Sequence, residues 1–571
     1  MSKLNRRQFL EQLTTSQTKE ITTPEIDPIF DKYANKELPG AYKTTTTLNE
    51  YTGPWTSTQV RHLLRRTMFG VKESDLTTLE GMSLSAAVDF LLDNIPAPPA
   101  PPLNNYTDYG VPDITGVPGG QTWVNAITGN GDVNSTRQAS FKVWWFGLLI
   151  NQNLSVMEKM IFFWHNHFAT QVYVVGQAQL SYRHHILLRN NALGNFKSLV
   201  KSITKDAAML MYLNGAKNIK NAPDENYARE LQELFTVGKN NSSNYTEDDV
   251  KAAARVLTGW QVNDISFESF FQPALHDTTD KQFSSFYGDS VIHGQGGSNG
   301  ANETDELIEL IFTKEQEIAH FICEKLYRFF VYYNIDTAVD SSIIQSLATI
   351  FINNNFEIKP VLSALLKSEH FFDNNNAGCY IKTPLDLLIG AFRSFNVNIP
   401  GTLTTKDIYA LWTYPYLLGN ILGLDLGEPP NVAGWPAFYK SPVYYEMWIN
   451  SSTLPLRMEF CDTMLNTGYT SGTSTTVTID VLEYTRTISV AGNATALIQY
   501  LQRVHCGIDI ATTDIDTLKN ILLAGQTNES YWTDIWNNYL ADPSPENTAI
   551  AKNRLTPMYT FLLRLPEYQL C

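Results

Sequence analysis

The chain has 571 residues, and its 43% hydrophobic and 18% charged residues are typical of a folded globular protein, not of a disordered or collagen-like one. The formal net charge is −16 at pH 7, and a field of that sign repels phosphates, so we expect no nucleic-acid partner. The most apolar stretches, 143–150 and 160–164, are shorter than the roughly 18 residues that span a bilayer, so we expect no transmembrane segment. The five cysteines include no CxxC pair, which argues against a zinc knuckle or a disulfide framework.

Residues 1–50 form a polar N-terminal segment. Arg6 and Arg7 precede Phe9 and Leu10, an order that resembles a twin-arginine export signal. Residues 11–31 lack the run of about 7 to 15 apolar residues that a signal peptide needs. We therefore predict a vestigial leader; the alternatives are a working leader and a short polar helix with two surface arginines.

Helical periodicity dominates the rest of the chain and predicts a mainly α protein, a large multi-helix body with long irregular loops. Helices are predicted over residues 58–68, 83–92, 141–167, 179–191, 196–212, 225–237, 246–260, 303–333, 341–353, 358–368, 384–395 and 531–565. Proline and glycine predict loops over residues 95–135 and 263–302, and the second loop is long enough to cover a site.

The predicted helices divide the chain after its N-terminal segment into two parts. Residues 51–460 are expected to form a helical core, and residues 461–571 a C-terminal segment of short strands and then helices that packs on it. The strands are a minor β element near residues 473–490, because TSTTVTIDVLEYTRTISV is rich in β-branched residues.

The first segment that can carry chemistry is FWHNHF, at residues 163–168. Residues two apart on a helix point about 200° apart, so His165 and His167 can bind one metal only if the helix ends or unwinds there. Glu158 lies seven residues before His165 and can orient its imidazole. The alternative is a buried aromatic helix whose histidines bind backbone carbonyls.

The second segment is NYARELQEL, at residues 226–234. Asn226, Glu230 and Glu233 form one polar stripe at helical spacing, and Arg229 can reach Glu233. Two carboxylates on one stripe can coordinate a cation, or one can stay protonated beside the other and act as a general acid. The alternative is a solvated face with an ordinary ion pair.

Two loop segments complete the candidates. His276 and Asp277, with Lys281, can be a metal ligand with its carboxylate, a base with its partner, or an Asx turn beside a surface histidine. The rigid segment EPPNVAGWP presents Asn431 and Trp435, and Trp435 can stack on a sugar or serve as a buried anchor, which we favour slightly. The chain has no phosphate loop, GxSxG, HExxH or CxxCH motif, so dinucleotide, α/β-hydrolase and zincin functions lose their main support.

Seven motifs carry a family resemblance: LLRRTMFG at 63–70, EKMIFFWHNHF at 158–168, NYARELQEL at 226–234, ARVLTGW at 254–260, HD at 276–277 with Lys281, PPNVAGW at 429–435 and LPE at 565–567. Together they resemble the bacterial domain-of-unknown-function 1800 family, over roughly residues 58–450 and the tail. The chain departs from that family's pattern where Phe235 replaces a frequent histidine and where residues 315–317 replace a usual His-Pro.

The resemblance implies a location and a partner. Members are often exported, which implies a periplasmic or cell-envelope protein, or a cytoplasmic one if the leader does not function. Their genes often neighbour those of the domain-of-unknown-function 1501 family, which looks like the sulfatases and alkaline phosphatases and is therefore a candidate partner.

The leading hypothesis is an envelope enzyme, a metal-dependent or acid–base hydrolase or lyase that acts on a polysaccharide or another extracellular polymer. One divalent metal would be bound by His165 and His167 with Asp277, or with Glu230 in place of Asp277. The catalytic groups would be Glu230, Glu233, Arg229 and His276, and the substrate-binding groups Asn226, Asn431, Trp435 and Lys281; a metal-free version keeps Glu230 and His276 as acid and base. The alternative is a non-catalytic scaffold or assembly factor in which the same residues form buried hydrogen-bond networks.

Overall fold

The structure is a computed structural model that describes residues 47–239, 244–435 and 444–571. It is mainly α-helical, with 58% helix and 4% strand, which confirms the predicted fold class. The twin-arginine-like motif lies outside the described residues. In the described part of the chain, no helix is both long enough and apolar enough to cross a membrane.

The helices up to residue 256 precede the small sheets. They are α1 (Ser57–Thr67), α2 (Glu73–Glu80), α3 (Leu84–Asp93), α4 (Gly131–Ile150), α5 (Met157–His167), α6 (Val172–Val175), α7 (Ala178–Asn191), α8 (Phe196–Thr204), α9 (Ala207–Tyr212), α10 (Asn226–Glu230), which continues as a π-helical turn over Leu231–Phe235, and α11 (Glu247–Val256).

The remaining helices follow the sheets. They are α12 (Asn302–Ile311), α13 (Glu315–Phe330), α14 (Thr337–Val339) with a π-helical turn over Asp340–Ile344, α15 (Gln345–Asn353), α16 (Ile358–Leu366), α17 (Pro384–Ser394), α18 (Thr405–Ile421), α19 (Thr453–Asn466), α20 (Val481–Arg486), α21 (Ala494–His505), α22 (Thr512–Leu522), α23 (Ser530–Ala541) and α24 (Pro545–Arg564).

Several predicted helices are two helices in the structure. Residues 196–212 divide into α8 and α9, since the Asp206 carboxylate accepts a hydrogen bond from Met209 N at 3.0 Å and caps the second helix. Residues 531–565 divide in the same way, because the Ser544 side chain caps α24. Residues 141–167 and 303–333 also divide, but the N-caps of α5 and α13 make no side-chain hydrogen bond. Helix α2 was not predicted.

The strands lie in the predicted loop 263–302 and at its start, not near residues 473–490. β1 (Trp260–Val262) pairs antiparallel with β2 (Ser269–Phe271), and β3 (Lys281–Gln282) with β4 (Val291–Ile292). The β element predicted at 473–490 is reduced to one bridge between Tyr469 and Val477, followed by α20. Asp480 accepts hydrogen bonds from the first backbone N–H groups of α20, so capping and burial override the β propensity there.

The C-terminal helices share one hydrophobic core with the helices before them. The ring of Phe395, after α17, stacks on His505 of α21 with centroids 4.3 Å apart. Arg65 of α1 donates to the carbonyl of Val504 at 2.9 Å. This core fixes the pair α4 and α18, whose facing sides carry the cavities described below.

Candidate functional site

His165 and His167 are both buried in the last turn of α5, and the structure does not bring them together as ligands. His167 Nε2 donates to the carbonyl of Phe235 at 3.1 Å, and Lys325 Nζ donates to His167 Nδ1 at 3.0 Å. The ring of His165 packs instead on Trp145, with centroids 4.9 Å apart, and burial lowers the pKa of His165 to about 3. The helix does not unwind, so the two rings diverge as helical geometry requires.

The π-helical turn Leu231–Phe235 explains how the carbonyl of Phe235 becomes available. The wider turn and its end at Thr236 interrupt the α-helical ladder, so Phe235 can accept from His167 and Leu234 from Lys325, the latter at 3.1 Å. The Phe235 ring is buried 5.2 Å from that of Phe168. Phe235, which stands where the resemblance leads us to expect a histidine, therefore contributes an apolar ring to the core.

The residues of the predicted polar stripe, Asn226, Glu230 and Glu233, do not form one site with Arg229. Arg229 does not pair with Glu233: it binds both carboxylate oxygens of Glu247, at 2.8 and 2.7 Å, and Glu225 at 3.1 Å. Glu233 pairs with Lys239 at 3.2 Å, and Asn226 is exposed. Glu230 differs from them, because it is half-buried and burial, followed by the charge of Glu233, raises its pKa.

His276 and Lys281 attach the loop to α12 through one buried carboxylate. His276 Nε2 lies 3.0 Å from Glu303 Oε1, and its Nδ1 lies 2.9 Å from the carbonyl of Thr258. Lys281 forms an ion pair with the other oxygen of Glu303, and all three side chains are almost fully enclosed. Both nitrogens of His276 are engaged away from solvent, so it lines no open cleft with Glu230.

The predicted metal ligands do not form a cluster. Asp277 is held by Arg255 at 2.7 Å, and hydrogen bonds from Arg255 and Thr279 hold its pKa low against the effect of partial burial. Within the described ranges, the three side chains with metal-ligand spacing are His320, Glu324 and Asp340, none of them a predicted ligand. The proposed site of His165, His167 and Asp277 therefore lacks the geometry of a chelate.

The segment from Asp425 to Trp435 is docked on the chain that follows α5. Val172 N donates to the carbonyl of Gly427 at 3.0 Å, and Trp435 N donates to Asn166 Oδ1 at 2.7 Å. Trp435 is buried, in line with an anchor, and Asn431 Oδ1 accepts from Ala433 N at 2.8 Å within the turn. We name this segment the docked loop.

A cavity of about 350 Å³ opens where the docked loop meets α4, α6 and α18. Lys142, from α4, is only 2% exposed, and its Nζ lies 3.5 Å from Asp425 Oδ1 and 3.6 Å from Glu428 Oε1. The lining residues include Lys142, Tyr173, Thr413, Tyr416, Leu417, Asn420 and Asp425. We name this cavity, together with Glu428, the acidic cleft.

The two carboxyl groups of the acidic cleft have different surroundings. Burial raises the pKa of Glu428 to about 7, against the opposing effects of Lys142 and of a hydrogen bond from Tyr173 N at 3.1 Å. Asp425 accepts from the Tyr416 hydroxyl at 2.7 Å and from Asn420 Nδ2 at 2.9 Å. A pair of carboxyl groups in unlike environments is the arrangement that separates an acid from a base.

Glu230, a predicted catalytic residue, and Glu428 both act electrostatically on Tyr212. Burial, and then the charges of Glu428 and Glu230, raise the pKa of Tyr212 to about 12, so both carboxylates act on one phenol.

Sequence reasoning missed Lys142, Asp425 and Glu428. The available signal was a lysine inside the apolar run 141–146, which needs a buried partner, but nothing in the sequence identifies that partner.

Residues 62–570 match the family model described as protein of unknown function (DUF1800). No curated protein and no solved structure matches the chain.

Proposed function

The chain belongs to the DUF1800 family, and from that premise we propose that it is an acid–base hydrolase of a neutral polysaccharide, with its site in the acidic cleft. The observation that carries the proposal is that Asp425 and Glu428 both lie within 3.6 Å of the buried Lys142 nitrogen, and that Lys142 and Asp425 line an open cavity. A carboxyl group with a raised pKa in a cleft, here Glu428, marks a candidate catalytic site.

Glu428 is the proton donor in this proposal. With a pKa of about 7 it is largely protonated below neutral pH, where it can give its proton to the oxygen of the scissile glycosidic bond. Asp425 takes a proton from the water that attacks the anomeric carbon, so the carbon–oxygen bond breaks as the new one forms.

Lys142 is a positioning residue rather than a catalytic one. Its ammonium lies 4.2 Å from the centroid of the Tyr173 ring and is enclosed between the two carboxyl groups. It opposes the rise in the pKa of Glu428 and contacts both carboxyl groups. Tyr173, which lines the cavity and is 56% exposed, offers aromatic surface to a sugar.

Release of reducing ends from soluble neutral polysaccharides, a β-glucan and a galactomannan, tests the proposal. Glu428→Gln and Asp425→Asn should each lower the rate at least about a hundredfold, as loss of an acid or a base does. The matched control is Asp305→Asn, an exposed carboxylate paired with Lys205, which should retain the wild-type rate. Wild-type rates in both cleft variants, or no cleavage by the wild type, would reject the proposal.

A scaffold role is the second candidate, and exposed apolar side chains at the mouth of the cleft favour it. Tyr173 and Leu417 line the cavity, and Val174 and Ile421 beside them are 55% and 63% exposed. Such a patch suits a protein partner, for which the family resemblance proposes a DUF1501 protein at the cell envelope. In that case Val174→Asp with Ile421→Asp should abolish co-purification of that partner, and Glu428→Gln should not.

A further inference from the structure

A second cavity, of about 390 Å³, lies at the other end of the pair α4 and α18. It is bounded by the end of α4, the end of α17 with the residues after it, and α18. The lining residues include Lys72, Ile150, Asn151, Phe392, Arg393, Asn396, Ile399, Ile408 and Trp412. None of them lines the acidic cleft, and the volume is that of a small-molecule site.

The charged residues that line this cavity are Lys72 and Arg393, and Arg393 is paired with Asp75. Arg393 is 1% exposed; its Nη2 pairs with Asp75 at 2.8 Å and its Nη1 donates to the carbonyl of Gln152 at 3.0 Å. Its Nε is buried and makes no hydrogen bond within the described residues. Lys72 makes no ion pair in that part of the chain, and burial, followed by the nearby Arg393, lowers its pKa.

These contacts leave an excess of positive charge in a chain whose net charge is −16. Two like charges held close together cost free energy, and so does a buried N–H without an acceptor. An oxyanion at Lys72, beside Arg393, would relieve the first of these costs, because ammonium and guanidinium groups are the usual ligands of carboxylate and phosphate.

The remaining walls are apolar and include one large ring. Trp412 lies at one side of the cavity, and Phe392 and Ile399 supply further apolar surface. A ring of the ligand can pack on the indole while the charged group lies at the cations. Asn396 and Asn398, which are exposed, add amide groups at the rim.

We propose that this cavity binds a small organic oxyanion, a carboxylate or phosphate joined to a flat apolar body, with the charge at Lys72 and Arg393 and the body on Trp412. The inference is independent of the acidic cleft. The chain would then have a binding site for an anionic ligand, separate from the proposed polysaccharide site.

Calorimetric titration of the full-length chain tests this, with phenyl phosphate and benzoate as probes and benzyl alcohol as their uncharged counterpart. We expect saturable binding of at least one anion, at least about tenfold tighter than that of benzyl alcohol, which corresponds to about 1.4 kcal/mol. The tighter of the two anions distinguishes phosphate from carboxylate recognition.

Lys72→Met should weaken binding of the preferred anion about tenfold or more, whereas Lys251→Met, at an exposed lysine paired with Asp248, should leave it unchanged. Trp412→Leu should weaken benzyl alcohol and the anions alike. Arg393 is not varied, because its contacts with Asp75 and Gln152 also support the fold. Equal affinity for benzyl alcohol and the anions, no binding of either anion, or full affinity in Lys72→Met would overturn the proposal.

Discussion

The side-chain nitrogen of Lys142 lies 3.6 Å from a carboxylate oxygen of Glu428, and both side chains are largely enclosed. Asp425 shares the same nitrogen at 3.5 Å, so the ammonium is surrounded by two acids and the ring of Tyr173. A buried cation of this kind stabilises the fold only while its partners remain, and it opposes the rise that burial causes in the pKa of Glu428.

Lys142→Met should therefore destabilise the chain. Removal of one member of a buried ion pair costs about 3 kcal/mol, and we expect a loss of that order in the free energy of unfolding, measured with urea at pH 7. Lys205→Met is the matched control, because its partner Asp305 is 45% exposed and such pairs contribute about 1 kcal/mol or less. Equal losses in the two variants would contradict a buried ion cluster.

The titration of Glu428 should contribute to the pH dependence of the free energy of unfolding. Its pKa in the folded chain is raised to about 7 from an ordinary value of 4.5, so between these values the folded state binds more protons than the unfolded state. Stability therefore falls as pH rises through this window. Glu428→Gln lacks this titration, so its stability relative to the wild type should improve from pH 4.5 to pH 7, measured by urea unfolding. A constant difference between the two proteins would show that the pKa of Glu428 is not raised.

Glu303→Gln should destabilise the chain, because it weakens the buried network of His276 and Lys281. The expected loss in the free energy of unfolding is about 3 kcal/mol, since a buried ammonium loses its counter-charge. Glu306→Gln, one turn along α12 and exposed, is the control and should change stability little. If Glu303→Gln kept full stability but lost polysaccharide cleavage, His276 would belong to the chemistry after all.

Gly434→Ala should disturb the docked loop. Gly434 has φ +82°, and a Cβ there would overlap both oxygen atoms of Asn166. Gly472 has a similar φ of +79° with open space around it, so Gly472→Ala isolates the backbone cost, about 1 kcal/mol. We expect Gly434→Ala to lower the melting temperature clearly more than Gly472→Ala. An equal decrease in melting temperature in both variants would mean that the docked loop accommodates the added Cβ without loss of stability.

The sequence predicts the helical class well, because apolar spacing along α1, α7 and α17 is a local property. Prediction from the sequence fails where tertiary contacts determine the secondary structure. Residues 481–486 carry β-branched side chains, but the cap at Asp480 and the burial of Val481 and Tyr484 favour a helix. The small sheets lie in a loop whose composition gave no strand pattern.

The candidate site was harder to predict than the fold. His276 and Asp277 form a conspicuous sequence pair, and the structure uses them to fasten a loop. Lys142 and Glu428 are far apart in the chain and have no motif in common, so only the packing of α4 against the docked loop brings them together. Long-range pairing of single charged residues leaves no local pattern to read.

The most direct test of the acidic cleft is the pH dependence of polysaccharide hydrolysis by the wild type and by Glu428→Gln. The account predicts that the wild-type rate falls as pH rises through about 7, because Glu428 then loses the proton that it donates, and that the residual rate of the variant lacks this step. A wild-type rate that does not change across pH 7, or the same step in Glu428→Gln, would contradict it.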